Sequence, residues 1–513
     1  MGAVAARGPR RRRLTAAALA AAALLSLLLL APGARGAEIV YWDNFRDNPA
    51  TVSWAGVDGS GGGVVAGGGV EIREPEGMAY DPVSNRIYVA SEGQRGSGGQ
   101  IAYLDLGGSS GGVLAVPGVP VHSPEGIALD PALRRLYWVN SDDDTIAWAD
   151  LSGAAGGLLD TRGAPTTGAY RLALADGILY WSGATAAGER YLAATELVGG
   201  GSGRVLAVGA LGLVNGLAVD PGAGRLYWLD STSGKESLRW LPLGGGPGGS
   251  LPLGAVDHRG TGLAVDPALG KAYWGNYGLA GTRQDAIGFV SLGGATGTIS
   301  PATAPVNGAQ DPIVIRTPTA TVAPRLTAAG TELACSRGTW APDFPGSSVF
   351  QSPRSFSYRW SLNGTTIPGA AGPSHTATAA GVYGCVVVAA NQAGAASQGA
   401  AATATVAPAR LALRGPGRRL RVRPGGVASF RIEVVNQGDL GAARARLCLV
   451  VPRRARAELR PGKCRSLPPL RAGERRRLRL GLRVSPAAAA GGYRLRITLS
   501  GVVARKLPLR IAG

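Results

Sequence analysis

The sequence is dominated by a repeated segment built around a Tyr-Trp pair. Its clearest copy, Val214 to Asp230, reads V-N-G-L-A-V-D-P-G-A-G-R-L-Y-W-L-D. Alternating apolar residues are followed by an Asp-Pro-Gly turn and then by a second segment rich in residues that favour β-strands. The segment therefore predicts a β-hairpin. Further copies are Pro75 to Ala90, Pro124 to Asn140, Tyr170 to Ser182 and Gly260 to Asn276.

The tyrosines of the repeat are regularly spaced. They are Tyr41, Tyr88, Tyr137, Tyr180, Tyr227 and Tyr273, at intervals of 47, 49, 43, 47 and 46 residues. Strand-rich repeats of about 40–50 residues are typical of β-propellers. The predicted fold class is therefore all-β, with a six-bladed propeller over residues 37–316 and two β-sandwich domains after it.

The first and last parts of this region complement each other. Tyr41-Trp42-Asp43 has no hairpin strand before it, and Val306 to Pro312 matches the first half of the repeat with one residue dropped, with no Tyr-Trp pair after it. We therefore expect the last strand to complete the first blade. The same alignment places Asn307 with Asn215. It also assigns Asp311 to the hairpin-turn aspartates, for which we expect a structural role in the turn.

The repeat resembles the Tyr-Trp-Thr-Asp (YWTD) propeller repeat, also called the class B repeat of the low-density lipoprotein receptor, which nidogen shares. Tyr227-Trp228-Leu229-Asp230 comes closest to the family signature, and the resemblance covers Ile39 to about Ile315. Val89 replaces the tryptophan, the fourth copy is shortened, and the epidermal-growth-factor modules of the receptors are not found. The resemblance implies the propeller fold without implying the receptor role.

Residues 1–36 read as a secretory signal peptide. Arg10 to Arg13 precede an apolar run from Leu14 to Leu30, and the small residues Ala34 and Gly36 follow it. This order is that of an export signal cleaved near Ala37. No later apolar run has the roughly 18 residues that a membrane span requires. We expect a secreted or surface-associated protein.

Four cysteines form two close pairs, Cys335 with Cys385 and Cys448 with Cys464, which in an exported chain predict two disulfides. Trp360 lies between the first pair, and Tyr383 lies two residues before the second cysteine. This arrangement resembles that of immunoglobulin-like domains. Residues 325–406 are assigned to such a domain, after a linker at 317–324.

Residues 407–513 form the last predicted domain. Phe430 to Val434 and Tyr493 to Ile497 alternate with period two, as expected for strands with one buried face. The segment resembles the CARDB type, a fibronectin-like sandwich found beside bacterial surface proteins. It holds 24 arginines and two lysines against four acidic residues, a net charge of +22 within a chain of +20. Such a charge attracts polyanions such as acidic wall polymers, although it also fits an arginine-rich proteome.

Four polar residues are candidates for a site at the mouth of the propeller channel. They are Glu76, Glu125, Asn215 and Asn307, at the predicted starts of the innermost strands. Together their oxygens could hold a hard cation such as Ca²⁺. Gluconolactonase-like propeller enzymes, which resemble this chain in their Glu-Gly and Asn-Gly contexts, hold a divalent metal at comparable positions. No partner for their catalytic aspartate is found, and Glu or Asn before Gly can also simply orient the strand.

Other candidate sites are less specific. The acidic run Ser141 to Asp144 lacks the spacing of a calcium loop. His122 and His258 precede two of the innermost strands and could join Glu125 in an enzyme-like group, although isolated loop histidines are commoner. No Ser-His-Asp, Cys-His or paired-acid constellation is evident.

The sequence therefore predicts an exported modular binding or adhesion protein rather than an enzyme. The propeller face would bind a protein or carbohydrate, and the basic domain would bind an anionic surface, without specific recognition of nucleic acid. The alternatives are a metal-dependent, gluconolactonase-like hydrolase or lyase acting at the channel mouth, and a purely architectural surface protein.

Overall fold

The computed structural model describes residues 38–93, 98–232, 235–253, 258–278, 285–301, 303–416, 419–500 and 502–512. The predicted signal peptide lies outside these residues. The described chain divides into two compact units. The first contains the described residues up to 321 together with 340–356 and 389–396, and the second contains 322–339, 357–388 and the described residues from 397 onward. None of the described helices is long and apolar enough to cross a membrane.

Six antiparallel sheets form the blades of a propeller in the first unit. Blade 1 contains β1 (Glu38–Asn44), β2 (Thr51–Gly56) and β3 (Gly63–Val64); blade 2 contains β4 (Pro75–Asp81), β5 (Arg86–Ser91), β6 (Gln100–Asp105) and β7 (Gly111–Val113); blade 3 contains β8 (Pro124–Asp130), β9 (Arg135–Asn140), β10 (Thr145–Asp150) and β11 (Gly156–Leu158), with a short 3₁₀ helix, η1 (Ser141–Asp143).

The remaining blades follow the same order. Blade 4 contains β12 (Leu172–Ala175), β13 (Ile178–Ala184), β14 (Arg190–Glu196) and β15 (Arg204–Gly209); blade 5 contains β16 (Val214–Asp220), β17 (Arg225–Asp230), β18 (Ser237–Pro242) and β19 (Gly249–Pro252); blade 6 contains β20 (His258–Asp266), β21 (Lys271–Gly278), β22 (Ala286–Ser291) and β23 (Thr296–Ile299); β24 (Ala309–Arg316) is the innermost strand of blade 1.

The predicted closure of the ring is confirmed. Strand β24 pairs antiparallel with β1, with Ile313 opposite Tyr41 and Ile315 opposite Ile39. The indole nitrogen of Trp42 donates a hydrogen bond to the carbonyl of Pro305, 263 residues away, at 3.2 Å. The two ends of the propeller thus share one sheet, which leaves no open seam between the first and last blades.

The tryptophans of the repeat attach each blade to the loop that enters it. The indole N–H of Trp138 donates to Pro120 O at 3.2 Å, and those of Trp181 and Trp228 donate to Pro165 O and Leu211 O at 2.8 and 3.1 Å. All three indole rings are buried against neighbouring blades. A buried indole N–H needs a partner, so the repeat tryptophan fixes the connecting loop as well as the core.

The turn aspartates act as the sequence predicts in four blades. In each, a carboxylate oxygen accepts backbone N–H groups two or three residues further on, as in the bonds from Ala132 and Leu133 to Asp130 at 2.8 and 3.0 Å. Asp81, Asp220 and Asp266 accept equivalent bonds. Two of them also join blades, because Arg134 contacts Asp81 at 2.5 Å and Arg316 contacts Asp266 at 3.0 Å.

A segment from beyond the propeller closes the end of the channel that lies at the hairpin turns. It contains η2 (Pro345–Ser347) and β29 (Val349–Phe350), and β29 pairs parallel with β24. Ser347 donates to Val219 O at 2.5 Å, and Phe350 packs edge-on against Tyr80 at 4.8 Å between ring centroids. We name residues 344–350 the plug. In sequence the plug falls inside the predicted immunoglobulin-like domain, yet it belongs to the same compact unit as the propeller.

The second unit is also built of strands. Apart from β29, the strands between β24 and residue 407 are β25 (Ala320–Val322), β26 (Leu326–Ala329), β27 (Glu332–Cys335), β28 (Thr339–Trp340), β30 (Ser355–Leu362), β31 (Thr365–Thr366), β32 (Ser374–Thr376), β33 (Gly381–Asn391), β34 (Gly394–Gly399) and β35 (Ala404–Val406). Sheet β26-β27-β32 and the sheet built on β30 and β33 are joined by the predicted disulfide between Cys335 and Cys385. Trp360 is buried beside them, and Tyr383 donates to Ala379 O at 2.8 Å.

The basic C-terminal region forms a two-sheet sandwich. Its strands are β36 (Leu411–Arg414), β37 (Leu420–Val422), β38 (Val427–Asn436), β39 (Ala445–Val450), β40 (Leu459–Pro461), β41 (Arg465–Leu467), β42 (Arg475–Val484), β43 (Gly491–Leu499) and β44 (Val502–Ile511), with η3 (Arg453–Ala455). One sheet has the order β36-β38-β42-β40 and the other the order β37-β44-β43-β39-β41. The second predicted disulfide, Cys448–Cys464, is present.

Candidate functional site: the axial channel

The innermost strands of consecutive blades contact one another in a closed ring around the propeller axis. Their register is fixed by the residue opposite each repeat tyrosine: Ala79, Ala128, Ala173, Ala218, Ala264 and Ile313. Two residues before these positions, the ring consists of Gly77, Gly126, Arg171, Gly216, Gly262 and Asp311. Three residues before, it consists of Glu76, Glu125, Tyr170, Asn215, Thr261 and Gln310. We name these two layers the glycine layer and the mouth layer.

The glycines are required by the close approach of neighbouring blades. A Cβ on Gly126 would lie 2.3 Å from Tyr170 O and 2.7 Å from the Cα of Arg171. Gly262 has a φ of +63°, and a Cβ there would lie 2.3 Å from the Cα of Asp311. Any side chain at these positions would collide with the adjacent strand, so four of the six positions in the layer carry none.

The two remaining positions carry a charged pair that spans the channel. Arg171 lies in blade 4 and Asp311 in blade 1, three blades apart in a ring of six and therefore on opposite sides of the axis. Nη1 of Arg171 lies 3.4 Å from both carboxylate oxygens of Asp311. The side chains of Arg171 and Asp311 are only 4% and 10% exposed. The space that the glycines leave is thus filled by an ion pair.

Arg171 also contacts the mouth layer. Its Nη1 donates to Glu76 O at 2.5 Å, its Nη2 lies 3.4 Å from Glu76 Oε2, and Nη2 donates to the Tyr170 hydroxyl at 3.0 Å. The guanidinium lies over the ring of Tyr170, 4.3 Å from its centroid, and the Tyr170 hydroxyl donates to Glu76 Oε2 at 3.3 Å. Arginine suits this position because its planar fork offers several donors at once.

Two buried aspartates face this arginine. Asp43 and Asp311 both have raised pKa values, chiefly because burial disfavours the charged carboxylate. Asp311 and Glu76 raise the pKa of Asp43 further, whereas Arg171 lowers it. Neither carboxyl oxygen of Asp43 has a hydrogen-bond partner among the described residues. A small cavity of about 40 Å³, lined by the glycine layer, lies beside the pair and has room for a water molecule.

The two glutamates of the mouth layer hold protons near neutral pH. Burial raises the pKa of Glu76 to about 7 and that of Glu125 to about 8. Arg171 opposes both shifts. Asp311 and Glu92 raise the pKa of Glu76 further, and Glu76 and Glu92 raise that of Glu125. Both side chains remain partly accessible from the mouth. The mouth therefore presents two carboxyl groups whose charge changes around neutral pH.

The structure brings together three of the four predicted site residues. Glu76, Glu125 and Asn215 all lie in the mouth layer, where Asn215 is buried. Asn307 lies elsewhere: it precedes β24, and its Nδ2 donates to Asp47 Oδ1 at 2.8 Å. The equivalent of Asn215 in blade 1 is Gln310.

The assignment of Asp311 to a hairpin turn is also wrong. Pairing of β24 with β1 places this residue in the glycine layer, with a φ of +44°.

The arrangement does not fit the cation site that these residues suggested. The positive charge at the point where the carboxyl groups converge is the guanidinium of Arg171, which would repel Ca²⁺. Within the described residues, no group of three or more His, Cys, Asp or Glu side chains is arranged to hold a metal ion.

The other candidate residues are two histidines and the acidic run, and their described side chains contact neighbouring loops. His122 Nδ1 lies 2.6 Å from Asp143 Oδ2 on the surface, and the side chain of His258 lies outside the described residues. Asp142 accepts from the Ser123 hydroxyl at 2.8 Å, and Asp144 accepts from Gly168 N at 2.7 Å. The acidic run from Ser141 to Asp144 thus joins loops of the propeller.

These sheets and this axial pair define an all-β propeller of six blades whose channel is closed by its own residues. No protein-family model matches the sequence, and no curated protein matches it either. Among solved structures, the chain is similar to a chain from a nidogen–laminin complex, with 18% identity, 54% of this chain and 98% of the other covered, and a TM-score of 0.43.

Two further solved structures are similar to this chain at low sequence identity. The calcium-binding protein regucalcin from Agrobacterium tumefaciens has 15% identity, with 52% of this chain and 82% of the other covered and a TM-score of 0.34. Hydrazine synthase from Kuenenia stuttgartiensis has 16% identity, with coverage of 47% and 70% and a TM-score of 0.35. The sheet pairing of the chain itself defines its fold.

Proposed function

We propose that this is an exported binding protein, in which the propeller mouth binds a protein or carbohydrate and the basic C-terminal sandwich binds an anionic surface. The observation that carries the proposal is the Arg171–Asp311 pair. It closes the channel directly beneath the mouth, so that no passage leads inward. A ligand would meet a shallow surface that offers the two glutamates and Tyr170, whereas Asn215 of the same layer is buried.

This surface suits a partner rich in hydroxyl groups or a cationic side chain. Carboxylates accept and protonated carboxyl groups donate the bonds that sugar hydroxyls make, and an aromatic ring adds apolar contact at low entropic cost. A metal-dependent hydrolase or lyase is not favoured, because the guanidinium of Arg171 takes the place that the metal would need.

The two disulfides support export, since structural disulfides persist chiefly in oxidising compartments. We assign residues 325–406 to an immunoglobulin-like domain on the basis of the Cys335–Cys385 bond, the buried Trp360 and the hydrogen bond of Tyr383. Residues 407–513 are assigned to a CARDB-like domain. The proposed arrangement is therefore a binding head, a spacer and a basic anchor.

The head is tested by probing the purified full chain on arrays of glycans and of basic peptides. Glu125→Gln should weaken capture of any ligand that binds the mouth by tenfold or more. The matched control is Asp176→Asn, which removes an exposed carboxylate in the hairpin turn between β12 and β13, at the far end of the innermost strand. Equal loss in both variants, or capture that neither affects, would remove the mouth from the proposal.

The anchor is tested with dextran sulfate beads. The full chain should be retained at low ionic strength and released as salt rises, because exposed charges are screened beyond a Debye length of about 10 Å at 0.1 M salt. Passage through the beads without retention at low salt would overturn the anchoring role.

A further inference from the structure

A large cleft opens at one edge of the C-terminal sandwich. It has a volume of about 1200 Å³ and lies between the edge strands β40 and β41 and the end of β39. The disulfide Cys448–Cys464 forms part of its wall. Sites for small ligands are commonly concave, apolar and of about 300–1,000 Å³, so this cleft is ample for one.

The interior of the cleft is apolar. Leu449, Val451, Leu459 and Leu467 line it, and all four belong to the buried core of the sandwich. Strand β41 covers β39 only as far as Leu447, which leaves the stretch from Cys448 onward uncovered at the sheet edge. The cleft therefore borders the core at a sheet edge that β41 does not cover.

The rim of the cleft is cationic. Arg444, Arg446, Arg456 and Arg460 contribute to the lining, and the lining contains no acidic residue. All four arginines are exposed, and within the described residues none of them forms a salt bridge. Arginines on one rim around an apolar interior are complementary to a molecule with an anionic head and an apolar tail.

We propose that this cleft binds a single-chain anionic lipid, with the acyl chain against the leucines and the head group among the rim arginines. This inference does not depend on the proposed function, because adsorption of a polyanion needs only exposed charge, whereas this site needs charge and apolar depth together. The occupant is a long-chain carboxylate rather than a polymer.

The test is calorimetric titration of the full chain with hexadecanoate, tetradecanoate and dodecanoate, each below the concentration at which it self-associates. Binding of one molecule per chain should weaken about three- to fourfold for each enclosed methylene that is removed. Hexadecan-1-ol, which has no charge, should bind at least tenfold more weakly than hexadecanoate. Absence of binding, or affinity independent of chain length, would overturn the site.

Variants locate the site. Arg456→Gln with Arg460→Gln should reduce hexadecanoate affinity tenfold or more, and so should Ser466→Trp, which fills the cleft from an exposed position. The matched control is Arg421→Gln with Arg510→Gln. It removes the same charge from paired residues of β37 and β44, at the opposite edge of the same sheet. Equal loss in the control would show that charge alone is recognised.

Retention on dextran sulfate separates this inference from the anchoring role. Both double variants should be released from the beads at similarly lowered salt, because a polymer senses net charge. If hexadecanoate fails to bind while dextran sulfate still retains the protein, the cleft proposal fails and the anchor stands. If dextran sulfate fails to retain the protein while hexadecanoate binds, the anchoring role fails and the cleft proposal stands.

Discussion

Arg171 and Asp311 face each other across the propeller axis at 3.4 Å, at the two positions of the innermost ring that do not carry glycine. The pair closes the channel and holds blades 1 and 4 together at the centre. Its position also decides the chemistry of the mouth, since the same guanidinium contacts Glu76 and Tyr170.

Removing one partner of this pair should destabilise the propeller strongly. Arg171→Met leaves Asp311 and Glu76 buried without their counter-charge, and breaking a buried pair from one side typically costs about 3–5 kcal/mol. The double variant Arg171→Met with Asp311→Asn should lose at least 1 kcal/mol less than the sum of the single variants. Urea unfolding monitored by tryptophan fluorescence measures these free energies of unfolding. The signal reports on the propeller because eight of the ten tryptophans lie within residues 38–316.

The control for this cycle is the exposed pair Arg73–Glu71. The side chains of Arg73 and Glu71 are 30% and 64% exposed, so solvent screens the pair and Arg73→Met should cost about 1 kcal/mol or less. Additive losses for Arg171 and Asp311 would show that the two side chains do not interact.

Much of the fold could be predicted because its signals are local and repeated. The Tyr-Trp hairpins, the turn aspartates and the shared first blade all follow from patterns that recur within one repeat length. The register of β24 could not be obtained in this way. Asn307-Gly308 imitates Asn215-Gly216, but pairing with β1 places Ile313 opposite Tyr41 and moves Asp311 to the axis.

One signal in the sequence does indicate the axial pair. Four copies carry glycine two residues before the position opposite the repeat tyrosine, whereas the copies in blades 4 and 1 carry Arg171 and Asp311, which are opposite in charge and three blades apart. The plug has no such signal. It is a single non-repeated segment within a region that resembles another domain, and its contacts with the propeller are visible only in three dimensions.

The stability of the propeller should fall as pH rises from about 5 to 8. Glu125 titrates with a pKa of about 8 in the folded chain against 4.5 in the unfolded chain, and Glu76 with a pKa of about 7. Because the folded state holds these protons longer, their contribution is fully present below pH 4.5 and is lost as pH rises through 7 and 8. Each group contributes a slope of at most about 1.4 kcal/mol per pH unit.

Glu125→Gln isolates this effect. The variant should show a flatter dependence of the unfolding free energy on pH between 5 and 8 than the parent chain, and the two curves should diverge most at pH 8. Equal slopes would mean that Glu125 is ionised in the folded state throughout this range, which would remove the burial argument for its raised pKa.

Calcium should not stabilise the propeller. The carboxyl groups at the mouth converge on the guanidinium of Arg171, so a second cation would meet electrostatic repulsion. We expect no saturable heat of binding in calorimetric titrations with Ca²⁺ or other divalent ions, and a melting temperature that millimolar Ca²⁺ leaves unchanged. Tight one-site binding that Glu76→Gln and Asn215→Ala both abolish would instead establish a metal site and revive the hydrolase alternative.

The plug should be essential for the stability of the propeller at the hairpin-turn end of its channel. A Cβ on Gly346 would lie 2.5 Å from Cγ1 of Val219 and 2.8 Å from Leu174 O, so Gly346→Leu cannot be accommodated without expelling the plug. Loss of the buried Phe350 and of its contact with Tyr80 would follow, and removing a buried phenylalanine costs about 3–5 kcal/mol. Gly346→Leu and Phe350→Ala should therefore lower the propeller's melting temperature to a similar degree.

The control is Gly399→Leu. It places the same side chain where nothing lies within 4 Å of the new Cβ, and it should leave the melting transition unchanged. If Gly346→Leu melts like the parent chain, the plug does not contribute to propeller stability, because a side chain at this position is incompatible with its seated conformation.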